Sequence, residues 1–147
     1  MGLNTVRCQY CGGFASINRT HFGWRWECTP CDARVGCHKD TQDPKGSLAN
    51  AALRAARIAA HQAFDPLWQK KLRLDPTMSK SQARTRAYQW LARMLQVPVA
   101  ECHIAHFSIP QCMRVVEVCA PFAARARQGA EAAVTASTLQ EDECTEQ

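Results

Sequence analysis

A chain of 147 residues with 18 lysines and arginines against 13 aspartates and glutamates, a formal charge of +5, suits one compact domain or a small module fused to a small helical one. It shows no apolar run of transmembrane length and no secretory-type start, so membrane-spanning and secreted classes are set aside and a cytoplasmic protein is expected. Nine cysteines, an odd number, cannot all pair as disulfides, and clustered thiols point to a reducing compartment.

The charge is unevenly spread. All 18 basic residues and 8 of the 13 acidic ones lie within residues 1–128, a balance of +10, while Glu131, Glu141, Asp142, Glu143 and Glu146 follow. A basic body with an acidic end suits nucleic-acid binding, and equally a soluble protein with a solvating tail. Four zinc-bound thiolates and their ion would lower the body's charge by about two.

Residues 1–7 read as a lead-in, with Val6 beginning a strand. Cys8 and Cys11 form one C-x2-C pair, Cys28 and Cys31 a second, with sixteen residues between them. Each pair can turn two thiolates toward one ion, and four thiolates in a tetrahedron suit Zn2+. Gly12 and Gly13 follow the first pair, where a tight metal-binding turn needs unusual backbone angles. Phe22, Trp24 and Trp26 alternate into Cys28 as a strand with one apolar face. Ala33, Val35 and Cys37 alternate again as a third short strand. A redox reading of either pair fits less well, because such a pair follows a strand and opens a helix. Cys37 and His38 could replace Cys31 as ligands, but are read as packing or supporting residues beside the site. A closed four-thiolate site offers substrate no open position, so it argues for a folded module rather than for hydrolysis.

Asp40 to Gly46 is a linker of capping and breaker residues. Ser47 is the expected N-cap of a first helix over 48–64. Alanine density gives that helix its propensity, and Asn50, Arg54, Arg57 and His61 form a polar stripe that is either a solvated face or a phosphate-contacting one. Asp65-Pro66 should end the helix and open another, with Leu67 and Trp68 buried and Lys70, Lys71 and Arg73 clustered behind. Ser79 and Gln82 have capping-box spacing and start a second helix ending near Gln96. Arg84, Arg86 and Arg93 either flank a binding surface or keep this helix soluble.

Cys102, His103, His106 and Cys112 are metal-ligating types, but their spacing matches no defensible motif, and buried cysteines beside partly exposed histidines are the preferred reading. Ser108 and Gln111 repeat the capping-box spacing, with Pro110 at an early helical position, and predict a third helix to about Cys119. Pro121 weakens its continuation. Residues 122–128 suit a short fourth helix, and residues 129–147 a flexible acidic tail. No Gly-rich phosphate loop, nucleophile elbow or metalloprotease helix is present, and no enzymatic activity is expected.

Several segments occur together: C-x2-C-G-G, WEC-x2-C and CH, then P-K-G-S-L-A, R-x2-R-x3-H-x2-FDPLW, Y-x-WLA and CHI-x2-F. The combination, over about residues 6 to 119, resembles a little-characterised zinc-finger-containing domain family of bacterial and bacteriophage proteins. The resemblance implies a zinc-ribbon module integrated with a compact helical segment, a phage or prophage origin, and Cys8, Cys11, Cys28 and Cys31 as ligands. It carries no molecular activity.

The expectation is a small α+β protein in which an N-terminal four-cysteine zinc ribbon (1–40) packs with a three- or four-helix segment (41–128). The first functional expectation is a zinc-binding nucleic-acid-binding or regulatory protein that meets DNA or RNA phosphates through Arg25, Arg54, Arg57, Lys70, Lys71, Arg84 and Arg86. The alternative is a phage-encoded interaction module that modulates a host protein. Neither DNA nor RNA is favoured, and the oligomeric state is left open.

Overall fold

A computed structural model describes residues 5–122 and Arg125. The acidic tail expected over 129–147, and all but Phe122 and Arg125 of the short helix expected over 122–128, lie outside the described residues. Among the described residues the fold is small α+β: a three-stranded antiparallel sheet and three α-helices. The described residues divide into two compact units, the first running to Ala59 and including His103–Met113, the second comprising Ala60–Cys102 and those from Arg114 onward. No described helix is long and apolar enough to cross a membrane.

In the first unit, β1 (Ser16–Thr20), β2 (Gly23–Cys28) and β3 (Ala33–Gly36) form a meander. Ile17 pairs with Trp26 and Arg19 with Trp24, while Val35 and Ala33 face Trp26 and Cys28 across the other edge of β2. Directly paired residues share a face. That face packs with Cys8, Cys37 and Leu48 into one core, in which Trp26 also donates its indole N–H to the Gln42 carbonyl at 2.8 Å. The expected alternation holds from Trp24 to Cys28. Phe22 departs from it, because Thr20 and Gly23 close the β1–β2 hairpin and leave His21 and Phe22 as its two-residue tip. Gly23 takes φ +117° there, a conformation that favours glycine.

α1 spans Ala51–Leu74. Its start and its length both differ from the sequence expectation. Ser47 is not the cap, because Ala49 exchanges two backbone hydrogen bonds with Arg34 (3.0 and 3.1 Å) and holds the preceding chain extended against the sheet. The helix therefore starts later, and the Asn50 side chain accepts from the Leu53 N–H at 3.0 Å. Asp65-Pro66 does not break it. Proline's fixed φ is helical, so the cost is one lost hydrogen bond and local crowding. Phe64 and Trp68, both buried in the second unit, flank the proline, and Asp65 accepts from the Trp68 indole N–H at 3.0 Å.

α2 (Lys80–Leu95) begins with the expected capping box: Ser79 accepts from the Gln82 N–H, and the Gln82 side chain accepts from the Ser79 N–H. It ends at Gln96 in the left-handed region, φ 57°. α3 covers the described residues from 109 through 122, Pro121 included, and its start carries the Ser108–Gln111 pairing. Leu91, Ala83 and Ala87 of α2 and Val115 and Cys119 of α3 are buried in the second unit.

Candidate metal centre

The first knuckle is a tight turn in which Cys8 exchanges backbone hydrogen bonds with Gly12 and Gly13, each 2.8 Å. Gly12 has φ +73°, which explains glycine directly after Cys11. The second knuckle leaves the end of β2 at Cys28 and turns through Thr29 and Pro30, with the Asp32 N–H donating to the Thr29 carbonyl at 3.1 Å. Asp32 itself lies in the left-handed region, φ 48°.

These two turns bring the sulfurs of Cys8, Cys11, Cys28 and Cys31 within 4.8 Å of one another, with Cys11 Sγ and Cys28 Sγ 3.6 Å apart. A tetrahedral zinc with sulfurs at about 2.3 Å requires sulfur–sulfur separations of about 3.8 Å. The donor set fits the ion. Such an ion supplies cross-linking and charge neutralisation, and a closed set of four thiolates leaves no coordination position for a substrate.

The electrostatics of the thiols point the same way. Burial pushes Cys8 up, but backbone N–H groups of Tyr10 and Cys11 and the thiols of Cys28 and Cys31 outweigh it and bring it to about 7. For Cys28 the Cys31 N–H pulls the value down, while burial and the Cys11 and Cys8 thiols push it up on balance. Pro30 has no N–H to offer, so the second knuckle presents fewer donors to its first sulfur than the first knuckle does. Cys31 is pushed up to about 12 by the Cys11 thiol, burial and the other two thiols. Crowded against the neighbouring sulfurs, Cys28 and Cys31 hold their protons more tightly than free thiols do, a cost that a bound cation would offset.

Both knuckles are tied to the segment that starts α1. Gln9 donates to the Leu48 carbonyl at 2.6 Å, and the Asn50 N–H donates to the Tyr10 hydroxyl oxygen at 3.3 Å. From the second knuckle, Asp32 receives Arg54 at 2.9 Å. Gln9, Tyr10, Asp32 and Asn50 were not distinguishable as supporting residues in the sequence, which offers only their closeness to a cysteine or to a helix start. Cys37 is buried and raised by burial, with Asp43 adding to the rise, and neither it nor exposed His38 joins the sulfur group.

The basic residues separate by role. Arg25 pairs with Glu27 along β2, and its Nε is buried without a hydrogen-bond partner. Arg54 adds a bond to the Ala49 carbonyl at 2.8 Å. Arg57 donates to the Ser47 carbonyl (2.9 Å), the Ser47 hydroxyl (2.6 Å) and the Phe107 carbonyl (3.1 and 3.2 Å), and burial pulls its pKa down. In the first unit Arg54 and Arg57 are thus engaged by the protein itself rather than standing as a free solvated stripe. In the second unit Lys70 and Lys71 at the end of α1, and Arg84 and Arg86 on α2, are exposed. His61 faces Asp65 at 3.4 Å.

Among the described residues, the four N-terminal cysteines are the only group of three or more His, Cys, Asp or Glu side chains close enough to share an ion. Cys102 and Cys112 are buried, with pKa values raised mainly by burial, while His103 and His106 are exposed. A family model described as a zinc-finger-containing domain matches residues 4–121, and the chain belongs to that family. No curated protein and no solved structure matches.

Proposed function

We propose that this member of the zinc-finger-containing domain family is a zinc-stabilised nucleic-acid-binding or regulatory protein that holds DNA or RNA mainly by the phosphate backbone. One observation carries the reading. Residues 66–100 contain seven basic side chains, all exposed, and a single carboxylate, Asp75, which is occupied by Thr77 (N–H at 3.0 Å). Such a density of exposed cations attracts polyanions by counterion release and carries little sequence information. The closed four-sulfur site supports a structural role for the ion and a non-enzymatic protein. None of the eight described cysteines is in a disulfide, which supports a reducing, cytoplasmic setting.

The test is fluorescence anisotropy of the zinc-loaded chain, freed of copurified nucleic acid, against labelled single- and double-stranded DNA and RNA across a salt series. Affinity should fall steeply with salt, and combining Lys70→Ala with Lys71→Ala should lower the slope by about one per residue. Flat titrations with a folded, zinc-filled protein would refute the reading.

A second reading draws on a groove in the second unit. Leu67, Leu74, Ala87, Trp90 and Phe122 line a cavity of about 430 Å3, edged by Lys70, Lys71 and Arg125. Leu74 is 74 % exposed there. An exposed apolar groove of this kind supports a module that binds a host protein, with a bacteriophage origin suggested by the family resemblance. A specific host-protein complex that survives nuclease treatment would favour it, and reproducible pull-downs without an enriched partner would count against it.

A further inference from the structure

We infer that the tip of the β1–β2 hairpin is a stacking platform for the bases of single-stranded nucleic acid, with Phe22 as its principal ring; this rests on the nucleic-acid reading above and assigns it a strand class.

Phe22 is 89 % exposed, the most exposed large apolar side chain among the described residues. Folding does not account for it. Two-residue hairpin tips favour asparagine, aspartate and glycine, and a phenylalanine there gains no burial in return for its place in the turn. The backbone around it is nevertheless well fixed. Thr20 Oγ1 accepts from the Phe22 N–H at 3.2 Å and donates to the Gly23 carbonyl at 2.9 Å, and the strands below are paired without interruption from Thr20–Gly23 to Ser16–Glu27. The other end of β2 is Cys28, in the metal centre. A ring held on a pre-organised support loses little freedom when it meets a planar partner.

The surroundings select an anionic, aromatic partner. The His21 and Phe22 rings lie 3.7 Å apart between centroids, and the Arg19 guanidinium sits 5.7 Å over the half-buried Trp24 ring. Around the tip stand Arg19 and His21, and residues 12–26 contain no carboxylate; Arg25, further down β2, is already paired with Glu27. Aromatic faces interleaved with cations match a strand whose bases stack while its phosphates are neutralised. A duplex offers such a ring far less, because its base faces are already stacked on each other.

The two contributions separate by salt. Stacking neutralises no phosphate, so removing Phe22 should weaken single-strand binding without changing its salt slope. The experiment compares the full zinc-loaded chain with Phe22→Ala, Phe22→Leu and Phe22→Trp, using labelled oligothymidylate and a duplex of equal length. Phe22→Ala and Phe22→Leu should both lose single-strand affinity about tenfold, with an unchanged slope and unchanged duplex binding, and Phe22→Trp should restore it. Leucine keeps apolar bulk but has no π-face, so full affinity in Phe22→Leu would overturn stacking in favour of a simple apolar contact. Single-strand binding that is intact in Phe22→Ala would overturn the platform while leaving the nucleic-acid reading standing. Absence of binding by the unaltered chain would overturn both. Loss in Phe22→Ala of binding to phosphatidylserine vesicles, with single-strand binding intact, would assign the tip to a lipid surface instead.

Discussion

Arg54, on the first turn of α1, donates at 2.9 Å to the carboxylate of Asp32, the residue that immediately follows the fourth cysteine of the metal centre. The same guanidinium reaches the Ala49 carbonyl, where the chain leaves its pairing with Arg34 and turns into the helix. The second knuckle and the start of α1 are therefore held by one side chain. Arg54→Ala should cost about 1–2 kcal/mol in denaturant unfolding, from the lost charge-assisted bonds to backbone and carboxylate. It should also speed zinc release to a chromophoric chelator. Asp32→Ala removes only the exposed end of the contact and should have the smaller effect on both. Unchanged zinc release in Arg54→Ala would show that knuckle and helix are not coupled.

Arg57 ties Ser47 to Phe107 within the first unit. Removing it leaves partly buried carbonyls without a donor, so Arg57→Ala should lose about 3 kcal/mol of unfolding free energy. Arg57→Lys should recover only part, because an ammonium cannot span the same acceptors with a planar fork. The salt slope of nucleic-acid binding should be the same in Arg57→Ala as in the unaltered chain, and a reduced slope would return this arginine to the phosphate-contacting set.

Gly46 is packed against backbone. A Cβ there would fall inside contact distance of the Ala105 carbonyl oxygen and only 2.8 Å from its carbonyl carbon. The Ser47 N–H also donates to that oxygen at 3.3 Å, so the two chain segments cannot separate freely. Gly46→Ala should destabilise by about 1–3 kcal/mol, the range of an overpacked site. A melting temperature equal to that of the unaltered chain would mean that the segments can part at little cost.

Asp75 provides a pH dependence remote in sequence from the thiols. The Thr77 hydroxyl, followed by the Thr77 N–H, holds its carboxyl below the usual range, and Arg86 adds to this. A depressed pKa means that the unfolded chain takes up the proton first as pH falls. The stabilisation is therefore complete above the unfolded aspartate value of about 4 and is lost as pH drops through the lower folded value. The melting-temperature difference between the unaltered chain and Asp75→Ala should be constant near neutrality and shrink below about pH 4. A gap that does not narrow would show that the charge of Asp75 contributes nothing.

Local patterns proved readable wherever a short motif fixed its own geometry. The paired cysteines, the Trp24-to-Cys28 alternation and the Ser79–Gln82 capping box each encode a turn, a strand or a helix start within a few residues. Longer-range competition was not readable. Ser47 has the right chemistry for a cap, but Ala49 is held by Arg34, fifteen positions earlier in the chain. Pro66 has the chemistry of a break, but burial of Phe64 and Trp68 outweighs a single missing hydrogen bond. The stripe of Asn50, Arg54, Arg57 and His61 has correct helical spacing, yet spacing does not reveal which carbonyls and carboxylates tertiary structure brings to meet it. Phe22 fits the strand period but falls in the turn, since the register is closed by Thr20 and Gly23.

The four sulfurs gathered at the two knuckles fit one shared ion, and cobalt substitution reads that directly. Titrating the metal-free chain with Co2+ should give intense thiolate charge transfer and the visible bands of a tetrahedral four-sulfur site, saturating at one ion per chain. Serine at Cys8, Cys11, Cys28 or Cys31 should change the spectrum and weaken binding, whereas Cys37→Ser should leave the spectrum unaltered. A pale octahedral spectrum, no saturation at one ion, or a Cys37→Ser spectrum altered as deeply as that of Cys31→Ser would contradict the four-cysteine centre.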